Sequence, residues 1–352
     1  MMMNKRKGLV LFLAAAMACA MLAGCVGQSE GADEGRVYRM RIGAISSPPT
    51  PEAVFIEQLV DYVKDATGGR VVVEAYHSGM LGTTTQMTNG LQDGSVDGVC
   101  VPVNYYESYV PELGVLGLPM FFKDAEQAYR FCGTPGNGFH EMINDLLQAK
   151  GFVVGTWGIS ASSTLISSKP VASFEDFEGL KVWCLPNARI VDAMRALKAV
   201  PVNFDTGDLA VGIQQKTVDA AYTGAQLLAP QKLQDSAKNL FVLTTPMNFN
   251  VQALMCSKIF MDSLPADLRA TLQDALIRAG AEIHYPMAMR VIENSMNQLM
   301  TADGMTTVHS DAVFTAKARE AFAPLAETFL TANPSARALY NRAVELIAAE
   351  GN

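Results

Sequence analysis

The sequence predicts an α/β protein of two lobes, and three observations carry that prediction. Strand-type alternation and helix-type periodicity take turns over residues 37–101 in the order β-α-β-α-β, the signature of a sheet covered by helices. The roughly 320 residues beyond the N-terminal segment exceed what one hydrophobic core comfortably fills, which favours two. Apolar residues make up 49% of the chain, a globular rather than a disordered proportion.

Each element follows from local chemistry. Lys5, Arg6 and Lys7 precede an apolar run from Leu9 to Leu22, which closes on Ala23, Gly24 and Cys25. That is the layout of a secretory signal over residues 1–24, too short and wrongly flanked for an ordinary membrane span. Its end resembles a bacterial lipobox, in which Cys25 becomes the lipid-carrying first residue; a plain signal cut elsewhere stays open. Residues 25–36 are small, polar and acidic, as in a flexible tether. Val37–Ala44 alternates as a strand, and Pro51–Ala66 reads as a helix with proline in its first turn and Gly68-Gly69 as its stop. Arg70–Tyr76 is a second strand, Thr83–Leu91 a short helix ended by Asp93-Gly94, and Val96–Val101 a third strand. Gly117–Phe122 leads into the next helix of the first lobe. Lys150–Trp157 has the continuous apolar character of a buried strand and crosses toward the second lobe, which Val171–Leu243 builds. Asn250–Ser257 returns to the first lobe. Pro265–Met300 is helical and interrupted by Pro286, which bends one long helix or divides two. The resulting division is lobe I over 37–157 plus about 249–285, and lobe II over 158–248 plus about 286–352.

Setting aside Lys5, Arg6 and Lys7 leaves 24 Lys and Arg against 35 Asp and Glu, a balance near −11 that argues against a nucleic-acid partner. Beyond Cys19 and Cys25, the four remaining cysteines are Cys100, Cys132, Cys184 and Cys256, with no C-x-x-C spacing. Buried thiols are expected, and a bridge between any two stays open in an exported protein. Enzyme motifs are missing. The nearest approach to a nucleophile elbow, Gly158-Ile159-Ser160-Ala161-Ser162, lacks its final glycine. His77, His140, His284 and His309 have no partner at metal-ligand spacing, and Gly133, Gly136 and Gly138 read as turn glycines. No enzyme activity, metal or cofactor is therefore expected.

Several segments then carry a family resemblance. They are DATGGRVVVEAYHSGMLG (residues 65–82), LQDGSVDGVCVP (91–102), VPELGVLGLPMFFKDAEQAYR (110–130), KPVASFEDFEGLKVWCLP (169–186), RALKAVPVNF (195–204) and GIQQKTVDAAYTG (212–224). In this order, within residues 37–320, they resemble the DctP family, the solute-binding subunits of tripartite ATP-independent periplasmic (TRAP) transporters. The resemblance implies a periplasmic-binding-protein-like fold with an interlobe cleft and a long, kinked helix bracing both lobes. It also implies a receptor outside the cytoplasmic membrane, here tethered through Cys25, that closes by a hinge around a small organic acid. Its partners would be the membrane permease subunits.

In that family an Arg after the GLKx segment clamps the solute carboxylate, and here the position falls on Trp183. An indole offers one donor and a flat apolar face, so Trp183 stacks on an aromatic or apolar ligand body, holds a cation by that face, or is a core residue in a register shifted by one. Ser162 stands where a second Arg is common. Tyr222 and Thr223 fall at the usual Asn, and Thr83, Thr84, Thr85 and Gln86 replace an acidic and basic pair. Arg189 is the nearest cation, either a carboxylate partner or a surface helix residue. Asn104, Tyr105 and Tyr106 follow the third strand, where open α/β sheets gather ligands. Phe249 and Asn250, at the return to the first lobe, either contact ligand or pack at the hinge. The expected solute is an organic acid with an aromatic or apolar body. A neutral or cationic solute, a binding protein for another uptake or signalling system and a lipoprotein hydrolase are the rivals.

Overall fold

The computed structural model describes residues 35–48 and 50–351, apart from the side chains of residues 159–163. The expected signal segment, the tether up to residue 34 and Cys25 lie outside the described residues.

The first sheet starts where the alternation starts. β1 (Tyr38–Gly43) turns Tyr38, Met40 and Ile42 onto one core. α1 (Pro51–Ala66) adds Phe55, Ile56, Leu59 and Val63 to that core, with Pro51 in the first turn, where a missing N–H leaves no bond unmade. β2 (Val71–Tyr76), α2 (Thr84–Asp93) and β3 (Gly98–Pro102) complete the opening, and β1 pairs in parallel with both β2 and β3. Two short 3-10 turns, 103–106 and 111–117, lead to α3 (Ala125–Gly133) and α4 (Phe139–Gln148).

β4 (Phe152–Ser167) corrects an expectation. The strand was expected to end at Trp157, yet it runs on for 16 residues in all. Gly155, Gly158 and the following serines read as breakers in sequence. In the structure the strand is irregular there but unbroken, with register shifts between Val154 and Thr156 and between Ile159 and Ser162. Its first part pairs with β9 (Phe249–Ser257) and its last part with the second sheet. That second sheet contains β5 (Lys181–Cys184), β6 (Val200–Val202), β7 (Ala220–Gly224) and β8 (Asn239–Val242), with α5 (Ala188–Ala196), α6 (Leu209–Gln214) and α7 (Ala225–Leu228) between them. The strand order is β2-β1-β3-β9-β4-β7-β5-β6, and β8 branches from β4.

After β9 come α8 (Lys258–Ser263) and α9 (Ala266–Ala279), then a π-turn over Gly280–His284 that passes directly into α10 (Tyr285–Met300). The long helix expected over 265–300 is therefore one path with a π-turn. Pro286 explains the irregularity, because its ring has no N–H to give and crowds the carbonyl four residues back. This path does brace both lobes. Tyr285 and Met289 pack on the first lobe's core, while Met296 and Leu299 pack on the second's. β10 (Thr306–His309), which pairs with β8, α11 (Ala312–Ala332) and α12 (Ala336–Ala349) end the described chain.

The C-terminal boundary differs from the expected division. α12 buries Ala336, Leu339 and Ala343 in the first lobe's core, and Tyr340 stacks on Phe121. The return is anchored by Glu350, which pairs with Arg130 at 2.7 Å and accepts a bond from Gln127 at 2.8 Å. Residues 336–350 thus belong with lobe I, because α12 offers its apolar stripe to α4 and the 111–117 turn.

Both sheets are buried on both faces. β9 sends Val251, Ala253 and Met255 to one core and Leu254 and Cys256 to the other. β5 likewise sends Val182 and Cys184 one way and Trp183 the other. Cys100, Cys132, Cys184 and Cys256 are buried free thiols, the state expected for them. No helix among the described residues is long and apolar enough to cross a membrane.

Candidate functional site

A cavity of about 860 Å3 opens between the lobes. It is walled by the chain just after β3, just after β5, the end of β7 and the start of β9. β9 runs antiparallel to β3, so its start lies at the same edge as the carboxyl ends of its neighbours. That edge is where open sheets leave room for ligands, since the turns there diverge to opposite faces.

The wall is mostly aliphatic and aromatic, with Val103, Leu113, Leu116, Leu185, Ile190 and Phe249 among its residues. Its polar groups are largely uncharged carboxamides: Asn104, Asn187, Gln226, Asn248, Asn250 and Gln252. Gln252 is 3% exposed, and its buried Oε1 has no hydrogen-bond partner. Tyr222 donates its hydroxyl to Asn248 Oδ1 at 2.7 Å, which fixes both side chains at the edge of the cavity. Among the described residues, three charged ones line the space: Glu52, Glu107 and Arg189. Glu52 accepts from the Ser46 hydroxyl at 2.8 Å, and Arg189 Nη2 is bonded to Glu107 Oε1.

Of the expected site residues, the structure brings Asn104, Tyr105, Arg189, Tyr222, Thr223 and Phe249 to this cavity. Asn250 joins them. Tyr106 does not. Consecutive residues of the 103–106 turn face different ways, so Tyr105 is 44% exposed at the wall while Tyr106 is fully buried, edge-on to Phe152 at 5.2 Å. Thr84 is also elsewhere. It occupies the first turn of α2 behind a capping box in which Thr83 accepts from the Gln86 N–H and Gln86 accepts from the Thr83 N–H. The threonine run serves the helix end. Ser162 lies on β4 opposite Phe249, and its side chain is outside the described residues.

Trp183 is the main correction. It is 1% exposed, packed with Ile166, Leu209 and Ile213, and its Nε1 donates to the Phe204 carbonyl at 3.0 Å. Strand alternation decides this outcome, because Trp183 points to the sheet face opposite Val182 and Cys184, and the chain reaches the cavity only at Leu185. Of the readings left open by the sequence, burial agrees with the core one. Burial also pushes the neighbouring Cys184 thiol up to about 11.

Sequence reasoning missed Glu107, Gln226, Asn248 and Gln252. One signal was available: Gln252 is the polar residue inside the apolar run of β9, at a strand position that must bury it. Among the described residues, no group of three or more His, Cys, Asp or Glu side chains could hold a metal.

Residues 42–332 match the model of the DctP family, described as bacterial extracellular solute-binding protein, family 7. A solute-binding protein of Albidiferax ferrireducens is 29% identical over 223 residues, which is 63% of this chain and 63% of that one. The chain thus spans less than two thirds of that curated relative. Among solved structures, a TRAP periplasmic solute binding protein from Ochrobactrum anthropi matches with a TM-score of 0.79 at 23% identity, covering 89% of this chain and 97% of that one. In that crystal its C-terminus is bound in the ligand-binding pocket. A second, from Chromohalobacter salexigens with bound D-glucuronate, matches with a TM-score of 0.72 at 22% identity, covering 86% and 98%. At these identities the likeness is one of fold.

Proposed function

Since this chain belongs to family 7 of the bacterial extracellular solute-binding proteins, the DctP family, we propose that it captures a small organic acid with an apolar body between its lobes. It then hands that solute to the membrane subunits of a TRAP transporter. The observation that carries the reading is the cavity itself, which is interlobe, of about 860 Å3, and walled by aliphatic side chains with carboxamides set among them. Carboxamides supply both donors and acceptors, and so suit carboxylate oxygens and hydroxyls alike. The D-glucuronate held by the Chromohalobacter salexigens neighbour is likewise a small organic acid, although its hydroxylated ring is polar. Closure stabilised by the solute, rather than any reaction, is the event. A lipid on Cys25 would hold the receptor at the outer face of the cytoplasmic membrane, beside the permease.

A second reading has one observation in its favour. Among the described residues, two carboxylates and one guanidinium line the cavity, which favours a neutral solute over an anion. A thermal-shift and calorimetry panel separates the two. An aromatic monocarboxylate should stabilise the protein more than the hydroxylated D-glucuronate does, and stabilisation by aliphatic dicarboxylates alone would sink the apolar-body proposal. Uncharged sugars stabilising in place of every acid would favour the second reading. In the same series, Cys25→Ser should leave solute binding unchanged and move the protein from the membrane fraction to the soluble one.

A further inference from the structure

Arg189 sits at the start of α5 on the second lobe, yet its guanidinium is surrounded by first-lobe groups. Nη2 is bonded to Glu107, which follows β3 and its 3-10 turn. Phe329, which packs on the first lobe's core, lies with its ring centroid 5.7 Å from Cζ. Gly114 and Gly117 complete the seat. A Cβ on Gly117 would stand 2.5 Å from Nε, and one on Gly114 would stand 3.2 Å from Nη1. Two glycines thus leave a notch that the arginine fills, and its side chain is only 17% exposed.

We propose that Arg189 and Glu107 are a clasp between the lobes. They set solute affinity by stabilising the shut cleft, and Arg189 does not hold a solute carboxylate. The proposal rests on the reading of this cavity as the solute site. Charge supports the clasp over a clamp. A solute carboxylate taking Arg189 would displace Glu107 and leave it unpaired beside a second anion, which a partly desolvated site penalises. Steric fit supports it too, because the buried Nε faces Gly117 and has no hydrogen-bond partner to exchange. The contact forms only when the two lobes approach, so it is strengthened by closure and by nothing else. Any solute that closes the cleft then gains from it, whatever its charge.

Two variants test the clasp by different routes. Glu107→Gln removes the charge, and Gly117→Ala fills the notch without altering any charge. Small-angle scattering of the full chain without solute should show a larger radius of gyration in both than in the wild type. Calorimetry should show D-glucuronate and its uncharged methyl ester both bound about tenfold more weakly, since every solute loses the same closing contact. An unchanged radius in both variants overturns the proposal. So does tighter binding of D-glucuronate by Glu107→Gln, because that result makes Glu107 a competitor for the solute's place on Arg189. If neither probe binds the wild type, the assignment of the solute fails, and the scattering comparison still decides the clasp.

Discussion

At the scale of single residues, the family-type segments turn out to contain more scaffold than site. In the first lobe Asp97, from GSVDG, accepts from the Arg41 backbone N–H and Nε at 2.8 Å and from Nη2 at 3.0 Å, tying β1 to the approach to β3. In the second, Asp219 from KTVDA pairs with Lys169 Nζ at 2.8 Å and accepts from the Lys181 N–H at 3.1 Å. Each carboxylate satisfies backbone and cation together, which explains why the motif is so recognisable and why it does not reach the cavity. Trp183 behaves alike. Its indole fills a core and its N–H answers a carbonyl that would otherwise lack this donor. Trp183→Phe should therefore lower stability by about 1–3 kcal/mol. Urea unfolding measures that loss, and calorimetry should show the solute affinity unchanged; an affinity loss larger than the stability loss would return Trp183 to the site.

At the scale of elements, legibility followed whether the signal was local. α1 was readable to both ends because Pro51 and the positive-φ glycines Gly68 and Gly69 mark its start and stop. Asn104 and Tyr105 were readable because a strand end predicts a ligand edge. β4 was not, since its glycines and serines lie inside a ladder whose continuity comes from β9, β7 and β8. Three successive buried residues in β5 hid the register that turns Trp183 inward. The interruption at Pro286 was readable but its form, a π-turn, was not, and that turn brings His284 against β4. The His284 ring is fully buried, stacks on Phe55 at 4.3 Å between centroids, and leaves no room for a Cβ at Gly158, which would stand 2.1 Å from it. Burial pulls its pKa from 6.5 down to about 4. The sign follows from proton binding: below pH 6.5 the unfolded imidazole takes up a proton that the folded one refuses. Stability from this group is present in full above about pH 6.5 and falls as pH drops to about 4, by on the order of 3 kcal/mol. Urea midpoints across that window should decline less steeply in His284→Gln, and an imidazole proton shift already titrating near pH 6.5 in the wild type would refute the account.

At the scale of the whole molecule, three elements belong to both lobes at once. β4 passes from one sheet into the other, the 266–300 helical path packs on both cores, and α11 buries Phe314, Ala318 and Phe322 in the second core before Leu330 reaches the first. Any hinge motion would therefore have to bend elements that the two lobes share. The 16-residue β4 has a thermodynamic consequence as well. If one sheet melts, the other must hold a strand ordered at one end and frayed at the other: the edge strand of the first sheet, paired with β9, and an inner strand of the second, between β7 and β8. Melting of one lobe should then drag the second with it, as a single cooperative event in a chain long enough for two. The chain carries its own reporters, since its two tryptophans, Trp157 and Trp183, sit in the first and second cores respectively. Trp157→Phe and Trp183→Phe each leave one lobe fluorescent. In each variant the emission change should coincide with the loss of far-ultraviolet circular dichroism along a denaturant series, and separated midpoints would show that the shared strand does not transmit the collapse.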